Sequence, residues 1–585
     1  MIEKNNTMDQ FTLDIIKDSL YAIGEEMFIA VARSSKSPVI YETLDFASAL
    51  TDAKGNLLTQ GNGVTGFIGL LSSIVKATIN KFGIRNNILP GDVFIINDPY
   101  IGGGSHLSDV GIVTPIFYQN ELVAFSANKA HWTEVGGKDP GSWGVDTNSI
   151  FQEGLQFPCV KLFEQGKINE SVMDIIRGNV RYPDLSIGDL WAQIAGNRTG
   201  EKRFVELCDK YGKTLVMMSI ERLLKSSEIL SIKEIQKLPK GDYYAEDFID
   251  DDGVGHGPFL IKVKVTVTED SFICDFTGSH PQVPGPINST YYATVGAVRT
   301  MFLAATNPSQ DINDGVFKPL KVIAEEGSIF NAQRPAPIST YWESMSFASD
   351  LIWKALAPIL PDRLTAGHLV SVCGFNMSGI HPDTGEPYLN VAPNQGGWGA
   401  GEGMDGQNAQ FCIGDGETYN IPAEVLETRY GFIVESYSLL ADGMGKGEYR
   451  GGSGVVKRYR YLNDENYFTG TFGRNKFLPW GMNDGGGGSG NRFRIIKKDG
   501  TIDGPFGKYP RYPLREGDCL EMIMGTGGGY GHPYKRPIDK VLMDYKNEFI
   551  SLAQAETDYG VIINPDDGAF IALTKEREAF GAANQ

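Results

Sequence analysis

The sequence predicts an α+β protein: a large, mixed, multi-layer fold with glycine-rich loops. Three observations lead there. Segments with apolar residues every three or four positions are interspersed with segments of strict two-residue alternation, no repeat of fixed period runs through the chain, and glycine supplies 71 of 585 residues. That is about 12%, against a usual ~7%, and it marks many tight turns and close backbone approaches. A hydrophobic content of 41% with 21% charged residues fits a chain folded nearly throughout. Domains run to roughly 100–200 residues, so 585 residues imply two to four packed units.

The first periodic segment, Asp9 to Ser35, reads as an amphipathic helix in which Phe11, Leu13, Ile15, Ile16, Leu20, Ile23, Met27, Phe28, Ala30 and Val31 recur mostly at three-to-four spacing, and Pro38 prevents its continuation. TLDFASALTDAKGNLLTQ alternates and turns at Asp52 to Gly55, which predicts a hairpin with Asp45 near the start of its first strand. A second helix is expected over Ile68 to Lys81. The helix-favouring stretch Arg203 to Lys240 closes a first unit at the break KLPKG, and LIKVKVTVT at Leu260 to Thr268 alternates as a strand. A helix around Ser349 to Ala357, glycine-rich loops such as Gln395 to Gly406, and a largely helical tail over Pro537 to Gly560 follow. The expected domains are residues 1–240, 241–335 (strand-rich) and 336–585 (glycine-rich and mixed).

Composition excludes several functions. A net charge of −19 argues against nucleic acid or an anionic membrane as partner, because both require a basic field. Cys159, Cys208, Cys274, Cys373, Cys412 and Cys519 are scattered without a C-x-x-C pair, so buried, reduced thiols are expected and not a zinc knuckle or a disulfide framework. The polar start MIEKNNTMDQFTLD has no apolar signal core, and no run of about 18 uncharged apolar residues occurs, so a cytoplasmic protein is expected. Gly485 to Gly490 matches G-x-G-x-x-G but follows a turn-like segment, which makes it a loop and not a dinucleotide site. There is no P-loop and no G-x-S-x-G elbow.

The chemistry concentrates in GDVFIINDPYIGGGSHLSDVGIVTPIFYQNELVAFSANKAHWTEVGG, Gly91 to Gly137, with two of the seven histidines. Val110 to Tyr118 and Leu122 to Ala130 read as strands joined by Gln119, Asn120 and Glu121. Pairing symmetric about Asn120 sets Asp109 opposite His131, with Cβ atoms about 5 Å apart. His106, three residues before Asp109 in a glycine-led loop, can fold back over the same end of the hairpin. Two imidazoles and a carboxylate suit a divalent first-row ion with open positions for water. Spacing alone leaves open the alternative that these are idle polar residues at a strand end. His256, His280, His368, His381 and His532 are expected to be structural or exposed.

With these residues in view, the chain resembles the hydantoinase B/oxoprolinase family, which includes ATP-dependent N-methylhydantoinase, 5-oxoprolinase, caprolactamase and the acetone and acetophenone carboxylases. The resemblance spans almost the whole chain. It rests on SPVIYETLDFASALTD (Ser37 to Asp52), GDVFIINDPYIGGGSHLSDVGIVTPIF (Gly91 to Phe117) and AHWTEVGGKDPGSWGVDTNSIFQEGL (Ala130 to Leu155). NIPAEVLETRYGFIVESYSLLADGMGKGEYRGGSGVVKRY (Asn420 to Tyr459) and GTGGGYGHP (Gly525 to Pro533) complete it.

The resemblance implies a metal-containing hydrolytic subunit of an ATP-dependent cyclic amidase. A hydantoinase A-type partner would bind ATP and magnesium and phosphorylate the amide oxygen of a small cyclic amide, and this chain would deliver metal-bound hydroxide to the activated carbon. It also implies a hetero-oligomer and adds Asp45 to the ligand set, giving Asp45, His106, Asp109 and His131 around one zinc, manganese or iron ion, so that residues 1–240 become a metal-site domain. Glu134 is the candidate general base, or a residue orienting a ligand, with an exposed loop glutamate as the alternative. The GSWGVDTNSIFQEG loop and Trp398 are candidates to line the substrate pocket. The chain departs from many relatives at Gly63 to Leu71, where they carry a histidine-containing H-L-G stretch. Two other functions compete: a subunit of an ATP-dependent ketone carboxylase, and a non-catalytic assembly subunit with a structural metal.

Overall fold

The computed structural model describes residues 10–61, 63–83 and 87–583. The first helix runs Gln10–Ser34 and, of the apolar residues expected on its buried side, buries Leu13, Ile16, Leu20, Ile23, Met27, Phe28 and Val31, while Phe11 and Ile15 are exposed. Asp9 and the polar start of the chain lie outside the described residues.

A seven-stranded antiparallel sheet dominates the first part of the chain. Its strands are β1 (Phe46–Asp52), β2 (Leu57–Gln60), β3 (Val93–Ile96), β4 (Asp109–Tyr118), β5 (Glu121–His131), β6 (Val160–Glu164) and β7 (Lys167–Ile168). Their order is β2-β1-β5-β4-β3-β6-β7, which puts the β4–β5 hairpin in the middle. Both faces are covered. Ala47, Ala49, Val113, Phe125 and Ala127 pack against the helix Leu70–Phe82. On the other face, Leu50, Ile116 and Ala124 join Ile16, Leu20, Met27 and Phe204 from the helices Gln10–Ser34 and Pro183–Tyr211.

The hairpin register follows expectation by an unexpected route. The strands are joined by two residues, Gln119 and Asn120, both in the left-handed region (φ 49° and 63°), as a tight hairpin turn requires. Such a turn alone would shift every pair by one residue and turn each side chain to the other face. A bulge opposite Ile116 and Phe117 takes up Val123, and from Ile116↔Ala124 onward the pairing restores Asp109↔His131.

Helix Pro183–Tyr211 is fastened to this sheet by amide side chains. Gln193 Nε2 donates to Val110 O (2.8 Å) and Asn128 Oδ1 (3.0 Å), while its Oε1 accepts from Trp132 Nε1 at 2.7 Å. Asn197 Nδ2 donates to Ile112 O at 2.9 Å. The helix-favouring stretch after Arg203 is two helices, because Gly212 (φ 83°) ends one and the next runs Lys213–Lys237.

After the KLPKG break comes a four-stranded sheet of β8 (Gly241–Ile249), β9 (Phe259–Val267), β10 (Phe272–Asp275) and β11 (Leu320–Ile323), ordered β11-β10-β9-β8. β9 alternates buried and half-buried residues along its length, as read from the sequence. Helix Trp342–Leu356 begins earlier than predicted and is buried on every side except at Lys354, so apolar and small residues surround it. A four-stranded and a five-stranded sheet between Gly374 and Met524 share a further core around Phe375, Phe432, Tyr461, Phe468 and Phe493. The tail is helical over Ile538–Lys546 and Leu552–Thr557, then adds a two-stranded pair absent from the sequence reading.

The glycine-rich loops stack backbone on backbone. Gly397 N donates to Gly525 O (2.8 Å), Gly445 N to Gly527 O (2.9 Å) and Gly528 N to Gly367 O (2.8 Å). A Cβ on Gly451 would sit 1.9 Å from Gly527 O, and one on Gly527 would sit 2.0 Å from Trp398 O, distances that only glycine permits. Gly485 to Gly490 belongs to this layer, which agrees with a loop reading.

Gln193→Leu would leave Trp132 Nε1, Val110 O and Asn128 Oδ1 without this partner in a buried seam. It is expected to destabilise the protein by about 2–4 kcal/mol, measured as a lowered thermal unfolding midpoint.

Candidate metal centre

Strand alternation sends Asp109, Lys129 and His131 to the face shared with Val113, Phe125 and Ala127, at the end of the sheet away from the hairpin turn. His106, Asp109 and His131 are buried, and one ligand atom from each lies within 4.8 Å of the others. His106 Nδ1 faces Ser339 O at 3.1 Å, and Nε2 faces Asp109 Oδ1 at 3.1 Å. If the carbonyl takes the Nδ1 proton, Nε2 of a neutral imidazole and the carboxylate oxygen are two acceptors in contact, an arrangement that requires a proton or a cation between them. Tyr341 OH donates to Asp109 Oδ2 at 3.4 Å.

Asp45 lies just before β1, after Leu44 in the left-handed region (φ 61°), and its carbonyl accepts from His131 N at 3.0 Å. It stands outside the tight group of three but lines the same cavity and is half-buried. Burial, then the charge of Asp109, raise its carboxyl well above the usual range. Burial also acts to raise Asp109, but the facing His106, with Lys129 and His131, outweighs it and holds this carboxyl below the usual range. Burial, then His106, depress His131 to about 4, so its imidazole is neutral at pH 7, the form that binds a metal. Its Nδ1 is buried without a partner. An orphaned imidazole nitrogen, an acceptor pair in contact and two mutually repelling carboxylates fit a divalent cation.

Lys129 secures the loop before His106. Its buried ammonium donates to Gly103 O and Ser105 Oγ, and burial lowers its pKa to about 8 against the pull of Asp109 and Asp45.

These groups open onto a cavity of about 70 Å³ whose walls include Val64, Phe67, Trp143, Tyr341, Trp342 and Met345. Among the described residues the indole N–H groups of Trp143 and Trp342 and the Thr43 hydroxyl are buried without partners, so the apolar wall carries hydrogen-bonding groups free for a polar ligand. Asp415 reaches the cavity from a separate loop, and burial pushes its carboxyl up to about 7.

Of the candidates named from sequence, His106, Asp109, His131 and Asp45 converge. Glu134 does not join them: Arg181 takes up its carboxylate through the backbone N–H and a 2.6 Å guanidinium contact, and Glu134 is not part of the cavity wall. Trp143, from the GSWGVD loop, lines the cavity, while Trp398 packs against Trp353 and His368 instead. Sequence reading missed Asp415, Tyr341, Trp342 and Lys129. Only Lys129 had a local signal, two positions before His131 on one strand face; the others arrive from more than 200 residues away. The six cysteines are buried and free, and among the described residues no helix is long and apolar enough to cross a membrane.

Residues 9–533 match the family model for hydantoinase B/oxoprolinase. The chain is 34% identical to the B component of a putative D-/L-hydantoinase of Pseudomonas sp. (strain NS671), over 97% of this chain and 98% of that one. It is 31% identical to the beta component of the caprolactamase of Pseudomonas jessenii, over 96% of this chain and 97% of that one. The crystal structure of that organism's ATP-dependent caprolactamase superposes with a TM-score of 0.90 at 29% identity, covering 99% of this chain and 100% of the other. Acetone carboxylase shares the fold, with a TM-score of 0.90 at 19% identity over 99% of this chain and 83% of the other. The α+β architecture expected from the sequence is therefore that of caprolactamase, and the chain belongs to the hydantoinase B/oxoprolinase family.

Proposed function

We propose that this chain is the hydrolytic subunit of an ATP-dependent cyclic amidase and works with a hydantoinase A-type subunit that activates the amide by phosphorylation. The observation that carries this reading is the buried group His106, Asp109 and His131, with Asp45 beside it, opening onto an apolar cavity that holds unpaired hydrogen-bond donors. The caprolactamase and hydantoinase relatives support the substrate class and a hetero-oligomer.

Asp45, His106, Asp109 and His131 would hold one zinc, manganese or iron ion. When bound, such an ion supplies a water of much lowered pKa and a Lewis acid for the carbonyl. The protein does the rest. Ser339 O and Tyr341 OH fix the orientations of His106 and Asp109. Phe67, Trp143 and Trp342 exclude bulk water, and the indole N–H groups bind the oxygens of the activated amide. Asp415, which lines the same cavity, gives a proton to the ring nitrogen as the carbon–nitrogen bond breaks. Glu134, tied to Arg181, braces the loop after His131 and takes no proton.

Reconstituted with its partner, the chain is expected to hydrolyse hydantoins or lactams only with ATP, and His106→Ala or Asp109→Asn to reduce turnover to background. Full turnover by either variant would overturn the reading.

Asp415→Asn is expected to lower kcat by roughly 10²–10⁴-fold while leaving any bound metal in place. In wild type the rate should fall as pH rises through the pKa of this proton donor, and the pH–rate profile of the variant should lose that limb.

A further inference from the structure

A second cavity, of about 40 Å³, adjoins the first: both are walled by Ala392 and Pro393, at the end of the strand Pro387–Ala392. Two polar side chains in its lining have unused bonding capacity. Asn390 is 1% exposed, and among the described residues neither its amide nitrogen nor its amide oxygen has a hydrogen-bond partner. Lys457 is 5% exposed; its ammonium donates to Asn420 Oδ1 at 3.0 Å and lies 4.8 Å from the centre of the Tyr437 ring. Among the described residues no carboxylate pairs with it, and the charged form is disfavoured by burial, which lowers its pKa to about 7. The half-exposed rings of Tyr419 and Tyr437 form part of its wall on the solvent side.

A buried ammonium without a counter-ion is costly, and so is a buried amide with no partner. A single guest with negative oxygens relieves the ammonium and the Asn390 N–H together. The space suffices for roughly three waters at 10–15 Å³ each, the scale of a carboxylate or a small inorganic oxyanion.

We infer that Lys457 and Asn390 form a small-oxyanion site, separate from the metal centre and adjoining its cavity. Its guest is a carboxylate or an inorganic oxyanion, either free or carried as a substituent of the substrate. The free-anion case rests on these side chains and not on the metal centre, and the substituent case rests on the cyclic-amidase reading above.

Calorimetric titration of the full-length chain with sodium acetate and with inorganic phosphate tests it. For a free anion, wild type is expected to saturate at one site per chain, with affinity weakened at least tenfold in Lys457→Met and in Asn390→Leu and retained in Lys457→Arg. For a substituent, free anions bind weakly, and a carboxylate-bearing cyclic amide binds wild type at least tenfold more tightly than its uncharged counterpart, a preference that Lys457→Met abolishes. The Lys457→Met chain no longer buries an ammonium and is expected to melt no lower than wild type, so lost binding reports the site and not unfolding. If neither the free anions nor the carboxylate substituent distinguishes wild type from Lys457→Met, only water fills the cavity and the inference is wrong.

Discussion

Two carboxylates and two imidazoles enclosed at one end of a sheet are the constraint on which the rest of this structure depends. Burial and the charge of Asp109 raise the cost of ionising Asp45, and the Asp109 oxygen that faces His106 cannot be satisfied by a neutral imidazole lone pair. Lys129 sits near enough to soften the repulsion, but its ammonium is committed to the Gly103–Ser105 loop. A divalent cation held there would neutralise both carboxylates and give the His131 nitrogen a partner, and so offset the cost of so much polarity in an apolar setting.

The fold serves that constraint through register. A two-residue turn alone would leave Asp109 and His131 on opposite faces of the sheet, and the bulge at Val123 reverses the shift near the start of the hairpin, so the other end arrives correctly aligned. Gln193 and Asn197 then clamp β4 and β5 from behind, and Trp132, beside His131, is itself held by Gln193. The opposite wall comes from a different layer: the Trp342 helix delivers Tyr341, Trp342 and Met345, and Ser339 just before it orients His106. The site is therefore a contact between the sheet that carries the ligands and a helix buried on nearly every side.

What the sequence disclosed follows the range of the interactions. Pairing of Asp109 with His131 is local, separated by one hairpin, and alternation was enough to find it. Asp45 needed the family resemblance, because its approach to His131 depends on β1 lying beside β5, which no local pattern encodes. Glu134 illustrates the opposite case: three residues from His131 in sequence, it is turned away by Arg181, a partner 47 positions along the chain. Asp415, Trp342 and Lys457 were silent, since an aspartate in a glycine-rich turn or a lysine on a strand acquires its character only from the burial that tertiary packing imposes.

The most direct measurement is the metal content of the purified full-length chain beside that of His131→Ala, with circular dichroism to establish that both are folded. Close to one divalent first-row ion is expected per wild-type chain, and little in the variant. A folded wild-type chain that retains no such ion, even after incubation with zinc, manganese and iron salts, would contradict a metal centre at the end of this sheet.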